Sequence, residues 1–286
     1  MRAAEILAAG VLAAGALGLV LSEQTVQTGM PSGQTVSLPI AMYHSVTDEG
    51  KSPGEYVIPV KQFERDLQYL SDVGFHTVTM SDVIAFVQDG TPLPDRPVML
   101  TLDDGYYNNY ANVYPLLERY DMRAVLSPVG TLTEQFTEAA EEPHENWSYC
   151  TASQLWEMAD SGRVEMQNHS YDFHELAPRR GCLRKNGESE DTYREIFLRD
   201  TARAQEQFSC IGIPKPVCYT YPYGACNAET EQLVREAGFS ASLGCEEGIN
   251  VLTVGNTDCL FRMKRYNRDG RRSTEDFWSA IQEAIP

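Results

Sequence analysis

Positive charge is scarce in this chain: 23 lysines and arginines stand against 41 acids, giving a net charge of −18 and a pI near 4.6. Nucleic-acid binding needs a basic surface, so that class is excluded, and a neutral or cationic polymer fits better. Histidine is scarcer still, with five in 286 residues and none after His174. The seven cysteines (150, 182, 210, 218, 226, 245 and 259) lack CxxC spacing and do not pair with the histidines, which excludes a zinc ribbon. In an exported chain some of them would form disulfides, with at least one left over. Beyond residue 21 no apolar run is long enough to span a bilayer, and no internal repeat is present.

The amino terminus is different. Ile6 to Leu21 carries no charge, follows Arg2, and is rich in Ala, Leu, Val and Gly. Residues 1–21 are expected to be a signal peptide or short signal anchor, and Ala16-Leu17-Gly18 is the nearest approach to a cleavage site. Export follows either way, with any membrane contact confined to this segment. Residues 22–37 are polar and read as a linker, and residues 38–286 as a single catalytic domain.

Within that domain apolar runs alternate with amphipathic segments. Strands are expected at 38–43, 75–79, 97–102, 123–128, 163–168, 216–221, 239–243 and 260–265, with helical three- and four-residue spacing between several of them. Gly74, Gly162 and Gly238 stop helices just before strands, and Thr151-x-x-Gln154 is a capping box. Repeated strand–helix order implies α/β architecture with a parallel sheet, and the length favours a barrel. Two long connections, Thr131 to Cys150 and Glu175 to Thr192, follow strands and so belong on the catalytic face. The first carries Trp147 and Tyr149, suited to stacking on a sugar ring. The second carries Arg179, Arg180, Arg184 and Lys185, suited to an acid group. Both also read as solvated surface insertions.

Three groups lie directly after expected strands: Asp103-Asp104, His169 with His174, and Tyr221-Pro222-Tyr223-Gly224. Histidines five apart on a helix would diverge by about 140 degrees, so this pair belongs to a strand end and its loop. Two imidazoles and one carboxylate form the three-ligand set of catalytic zinc sites with a position left for water, and Asp103 remains as a base for that water.

At these residues the chain resembles the polysaccharide deacetylase family, also called the NodB-homology family or carbohydrate esterase family 4. Thr101-Leu102-Asp103-Asp104-Gly105 matches its first motif, His169 to His174 its second, and Pro222-Tyr223-Gly224 part of its third. The resemblance covers residues 39 to about 270 and implies a distorted (β/α) barrel of seven or eight parallel strands. It implies Asp103 as base, Asp104, His169 and His174 as ligands of a divalent metal (Zn2+, or Co2+ or Ni2+), and the backbone N–H of Tyr223 facing the oxyanion. Tyr221, Pro222 and Trp147 are the expected substrate contacts.

Three departures stand out. The histidines are one residue further apart than in most of the family, as in relatives that deacetylate poly-N-acetylglucosamine. The third motif lacks the arginine that orients the base, for which Arg262 or Arg265 is the candidate substitute. The late general-acid histidine is missing, and Tyr43-His44 resembles the early Tyr-His that supplies it in those relatives. The expected function is metal-dependent removal of N-acetyl groups from an extracellular N-acetylglucosamine polysaccharide, either peptidoglycan or poly-N-acetylglucosamine. A membrane-tethered carbohydrate-binding protein on a degenerate scaffold, or an O-acetyl xylan esterase, stays open as the alternative.

Overall fold

Short parallel strands build the molecule, and their side-chain alternation decides what reaches its catalytic end. In the computed structural model, residues 29–50, 52–139 and 141–286 are described. The strands are β1 (Thr35–Leu38), β2 (Ile40–Tyr43), β3 (Ser45–Val46), β4 (Val57–Ile58), β5 (His76–Thr77), β6 (Pro97–Asp104), β7 (Ala124–Pro128), β8 (Val164–Met166), β9 (Cys218–Thr220), β10 (Ala241–Leu243), β11 (Asn250–Thr253) and β12 (Tyr266–Asn267). The helices are α1 (Val60–Asp72), α2 (Met80–Asp89), α3 (Tyr114–Arg119), α4 (Gly130–Ala139), α5 (Ala152–Asp160), α6 (Glu190–Ile211), α7 (Ala228–Glu236) and α8 (Thr274–Ala284).

The parallel order β12-β2-β6-β7-β8 is continuous, and β9 pairs with β10. Bridges Asn168–Tyr219 and Leu243–Met263 join these two pieces, closing a distorted ring. This agrees with the expected α/β barrel. Alternation along β6 sends Met99 to an inner cluster with Ile40, Val125 and Cys218, while Leu100 and Leu102 face outward against the layer of α1, α3, α5 and α8. Asp103, two residues beyond Thr101, shares the inner parity, so the strand's own pleat aims it into the barrel mouth.

The helix stops follow the sequence. Gly74, Gly162 and Gly238 have φ of 77°, 71° and 88°, which L side chains rarely adopt, and the capping box at Thr151 is formed. Three boundaries differ. β1 starts inside the segment read as linker and pairs antiparallel with β11, so the fold begins before residue 38. The expected connection from Thr131 begins as α4. The strand expected at 260–265 is broken by Arg262 at φ 54° and resumes as β12. The signal or anchor segment lies outside the described residues. Among those described, no helix is long and apolar enough to cross a membrane.

Candidate active site

The carboxyl ends of β2, β6, β8 and β9 surround a cleft of about 870 Å³, whose lining includes His44, Asp103, Asp104, His169, His174 and Tyr223. Ligand atoms of Asp104, His169 and His174 lie within 4.8 Å of one another. Asp104 Oδ1 is 3.4 Å from His169 Nε2 and 3.0 Å from His174 Nε2, yet it makes no well-formed hydrogen bond although it is buried. One carboxylate oxygen thus faces both imidazole nitrogens at once, and the three atoms converge as the ligands of a cation site must. The outer nitrogens support this. His169 Nδ1 is 2.8 Å from the Thr220 carbonyl oxygen and His174 Nδ1 is 3.3 Å from the Tyr223 hydroxyl, so each Nε2 lone pair is free to face inward. Burial and hard oxygen–nitrogen donors fit a divalent cation, Zn2+ among them.

Asp103 is held by a residue distant in sequence. Arg265 Nη1 and Nη2 donate to its two oxygens at 2.7 and 2.8 Å, and both side chains are nearly inaccessible to water. Burial alone would raise the carboxyl's pKa. The Arg265 guanidinium, with His169 and His44 nearby, overcomes that and holds it below the usual value, so Asp103 is ionised. Arg265 is itself fixed by the Gly244 carbonyl and by Thr101 Oγ1, at 2.7 and 3.2 Å. Of the two substitutes named from sequence, Arg265 takes the place. Arg262 faces outward near Glu231.

His44 lies across the cleft, its backbone carbonyl held by Asn109 and its ring edge-on to Tyr56. Its Nδ1 is buried with no hydrogen-bond partner among the described residues. Burial pushes its pKa down, against the pull of Asp103 and Asp104. Tyr223 turns with φ 57°, stacks on His174 at 4.6 Å and lines the cleft.

The expected sugar contacts need correction. Tyr221 is fully buried in a cluster with Phe197, Tyr219 and Phe239, and Pro222 is buried beside it, so neither side chain reaches the cleft. Trp147 is exposed but stacks on His144 and is absent from the cleft lining. Tyr149 packs against Tyr106, and Tyr106 does line the cleft. Of the basic loop residues, Arg179 is buried with Glu188, Arg184 meets Glu229, and Arg180 alone lines the cleft. Sequence reading missed Tyr106, Thr220 and Asp200. Only Tyr106, directly after the Asp-Asp-Gly turn, carried a local signal.

The polysaccharide deacetylase family matches residues 90–242, more than half the chain. The chain belongs to the polysaccharide deacetylase family. The YxkH protein of Bacillus subtilis is 28% identical over 74% of this chain and 65% of its own length. The poly-β-1,6-N-acetyl-D-glucosamine N-deacetylase of Escherichia coli is 24% identical over 85% of this chain. The chain spans only 39% of that enzyme's length, and less than two thirds of YxkH. A de-N-acetylase structure from Aggregatibacter actinomycetemcomitans superposes with a TM-score of 0.71 at 22% identity, covering 87% of this chain and all of that one, and this likeness shows the fold.

Proposed function

We propose that the chain is a metal-dependent N-deacetylase of an extracellular N-acetylglucosamine polysaccharide. The observation that carries this reading is the ionised, Arg265-clamped Asp103 beside the converging Asp104, His169 and His174. A binding module has no use for a buried carboxylate kept basic next to a complete ligand set, and Arg265 supplies the arginine whose absence favoured a degenerate scaffold.

Asp104, His169 and His174 would hold the cation. When bound it supplies Lewis acidity, lowering the pKa of water from 15.7 toward about 7 and polarising the acetamide carbonyl. Asp103 removes the proton from the attacking water, while Arg265 keeps its oxygens in place. The Tyr223 turn offers its backbone N–H to the developing oxyanion. His44 protonates the departing nitrogen, and its depressed pKa makes the protonated ring a willing donor. The products are acetate and a glucosamine unit, cationic near neutral pH, which an acidic protein does not repel. The relative named for poly-β-1,6-N-acetyl-D-glucosamine favours that polymer. Peptidoglycan shares the same acetamide, and the apolar segment at residues 6–21 supports export.

The test is acetate release from N-acetylglucosamine oligomers, peptidoglycan and acetylated xylan, by metal-loaded and chelator-treated protein, with Asp103→Asn as control. Metal-dependent release from the amide substrates, reduced about 10²- to 10⁴-fold in the variant, is expected. Release from xylan alone would make the chain an esterase, and no release from folded, zinc-loaded protein would leave a binding scaffold.

A further inference from the structure

The loop from His169 to His174 must reverse direction while holding its two histidines at one point. Ser170 takes a left-handed φ of 69°, its N–H donates to Asn168 Oδ1 at 2.7 Å, and its own Oγ accepts from the Phe173 N–H at 3.0 Å. These contacts are local to the loop. The two peptide N–H groups at its middle are answered from elsewhere. Tyr171 N–H donates to Asp200 Oδ1 at 2.9 Å, and Asp172 N–H to Asp200 Oδ2 at 2.7 Å. One carboxylate, borne on α6, thus spans the loop between the ligands with one oxygen for each donor. It is nearly inaccessible, and no cationic side chain among the described residues hydrogen-bonds it.

The same face of α6 holds the neighbourhood together. Residues 200, 203 and 207 follow helical spacing. Arg203 lies 3.8 Å over the Tyr171 ring, and Gln207 Nε2 donates to the Gly130 carbonyl at 2.9 Å. Gly130 and Thr131 in turn donate to the Ser170 and Tyr171 carbonyls, at 3.1 and 2.8 Å. A side chain at Gly130 would come within 2.6 Å of the Tyr171 ring, so the segments meet with no spare room. His169 has its own anchor in Thr220. His174 is half-buried, and apart from Asp104 Oδ1 its ring nitrogens meet only Tyr223 among the described residues, so its approach to Asp104 depends on where the loop is held.

We infer that Asp200 is a positioning residue for the cation site, setting the place of His174 by clamping the backbone between the two histidines. The inference rests on the reading of Asp104, His169 and His174 as a metal site. The substitution Asp200→Asn is nearly isosteric, but the amide it introduces turns one acceptor into a donor facing an N–H, leaving that buried peptide group unsatisfied.

The experiment is Zn2+ affinity of the full chain, by competition with a chromophoric chelator, for wild type, Asp200→Asn and Asp200→Glu, with Arg199→Ala as a control on the same helix. Asp200→Asn is expected to weaken zinc about 10- to 100-fold, as loss of an outer partner of a ligand does, and to change the visible spectrum of the Co2+ form. Arg199→Ala should leave both unchanged. If Asp200→Asn does not fold, Asp200→Glu is read in the same way, because it keeps both acceptors but moves them by one methylene. Folded variants with wild-type zinc affinity and an unaltered cobalt spectrum would overturn the clamp while leaving the metal site standing. A wild-type chain that binds no divalent cation would overturn both.

Discussion

Two buried arginine–aspartate pairs lie three residues apart on the same C-terminal segment, and they do different work. Arg268 meets Asp66 through Nε and Nη2 at 2.8 and 3.1 Å, and Tyr43 and Thr274 donate to the same carboxylate at 3.1 and 2.6 Å. Four donors saturate Asp66, which joins α1, β2 and the start of α8 beneath the cleft. Arg265 meets Asp103 just as closely, yet Asp103 also opens toward the cleft beside His169 and His44. The lesson lies in the surroundings. A buried pair whose carboxylate is saturated by protein donors is architecture, whereas one held on a single side, with reactive space on the other, is a base kept ionised.

Breaking the architectural pair should have the larger effect on stability. Arg268→Met leaves Asp66 buried without its cation, and removing one partner of such a pair costs about 3–5 kcal/mol. Urea unfolding should show this loss, while the remaining folded protein keeps the wild-type pH profile of turnover. A loss under about 1 kcal/mol would mean that the two hydroxyl donors suffice and that the pair is not what fastens this corner.

Arg265→Met should act on titration. Asp103 has a folded pKa below its ordinary 3.8, so the stability it contributes is present above that value and is lost only as pH falls through the lower one. Without Arg265, burial acts unopposed and raises the carboxyl. The acid limb of kcat/KM is then expected to move up by about 1–3 pH units, with turnover recovering toward higher pH. A profile that keeps its wild-type acid limb would show that Arg265 orients Asp103 without tuning it.

This contrast also marks what the sequence could reveal. Asp103 and Asp104 were legible because a buried strand ending in two acids must release them at its carboxyl end. His169 and His174 were legible because five-residue spacing forbids a shared helical face. Arg265 could be narrowed only to one of two, since the left-handed turn at Arg262 interrupts the alternation that would have told inward from outward. Tyr221 was misjudged because nearness to a motif in sequence says nothing of which way a ring points, and this one points into the core. Asp200 left no trace, because its partners are peptide N–H groups on another element.

Asp200 supplies the third case and the smallest expected effect. It is buried like the other two but lacks a bonded cation, and burial pushes its carboxyl up to about 7 despite the Asp172 N–H and the more distant Arg179 and Arg203. A folded pKa raised above the unfolded 3.8 means that the native state retains a proton the unfolded chain releases. Its contribution is therefore full below about pH 4 and lost as pH rises toward 7, opposite in sign to that of Asp103. Urea unfolding across pH 4.5–7.5 should show wild type losing, relative to Asp200→Asn, about 1 kcal/mol per pH unit at the steepest point. Parallel curves for the two proteins would mean that the two peptide donors alone keep Asp200 ionised, as Arg265 does for Asp103, and that a backbone clamp can replace a cation in holding a buried carboxylate charged.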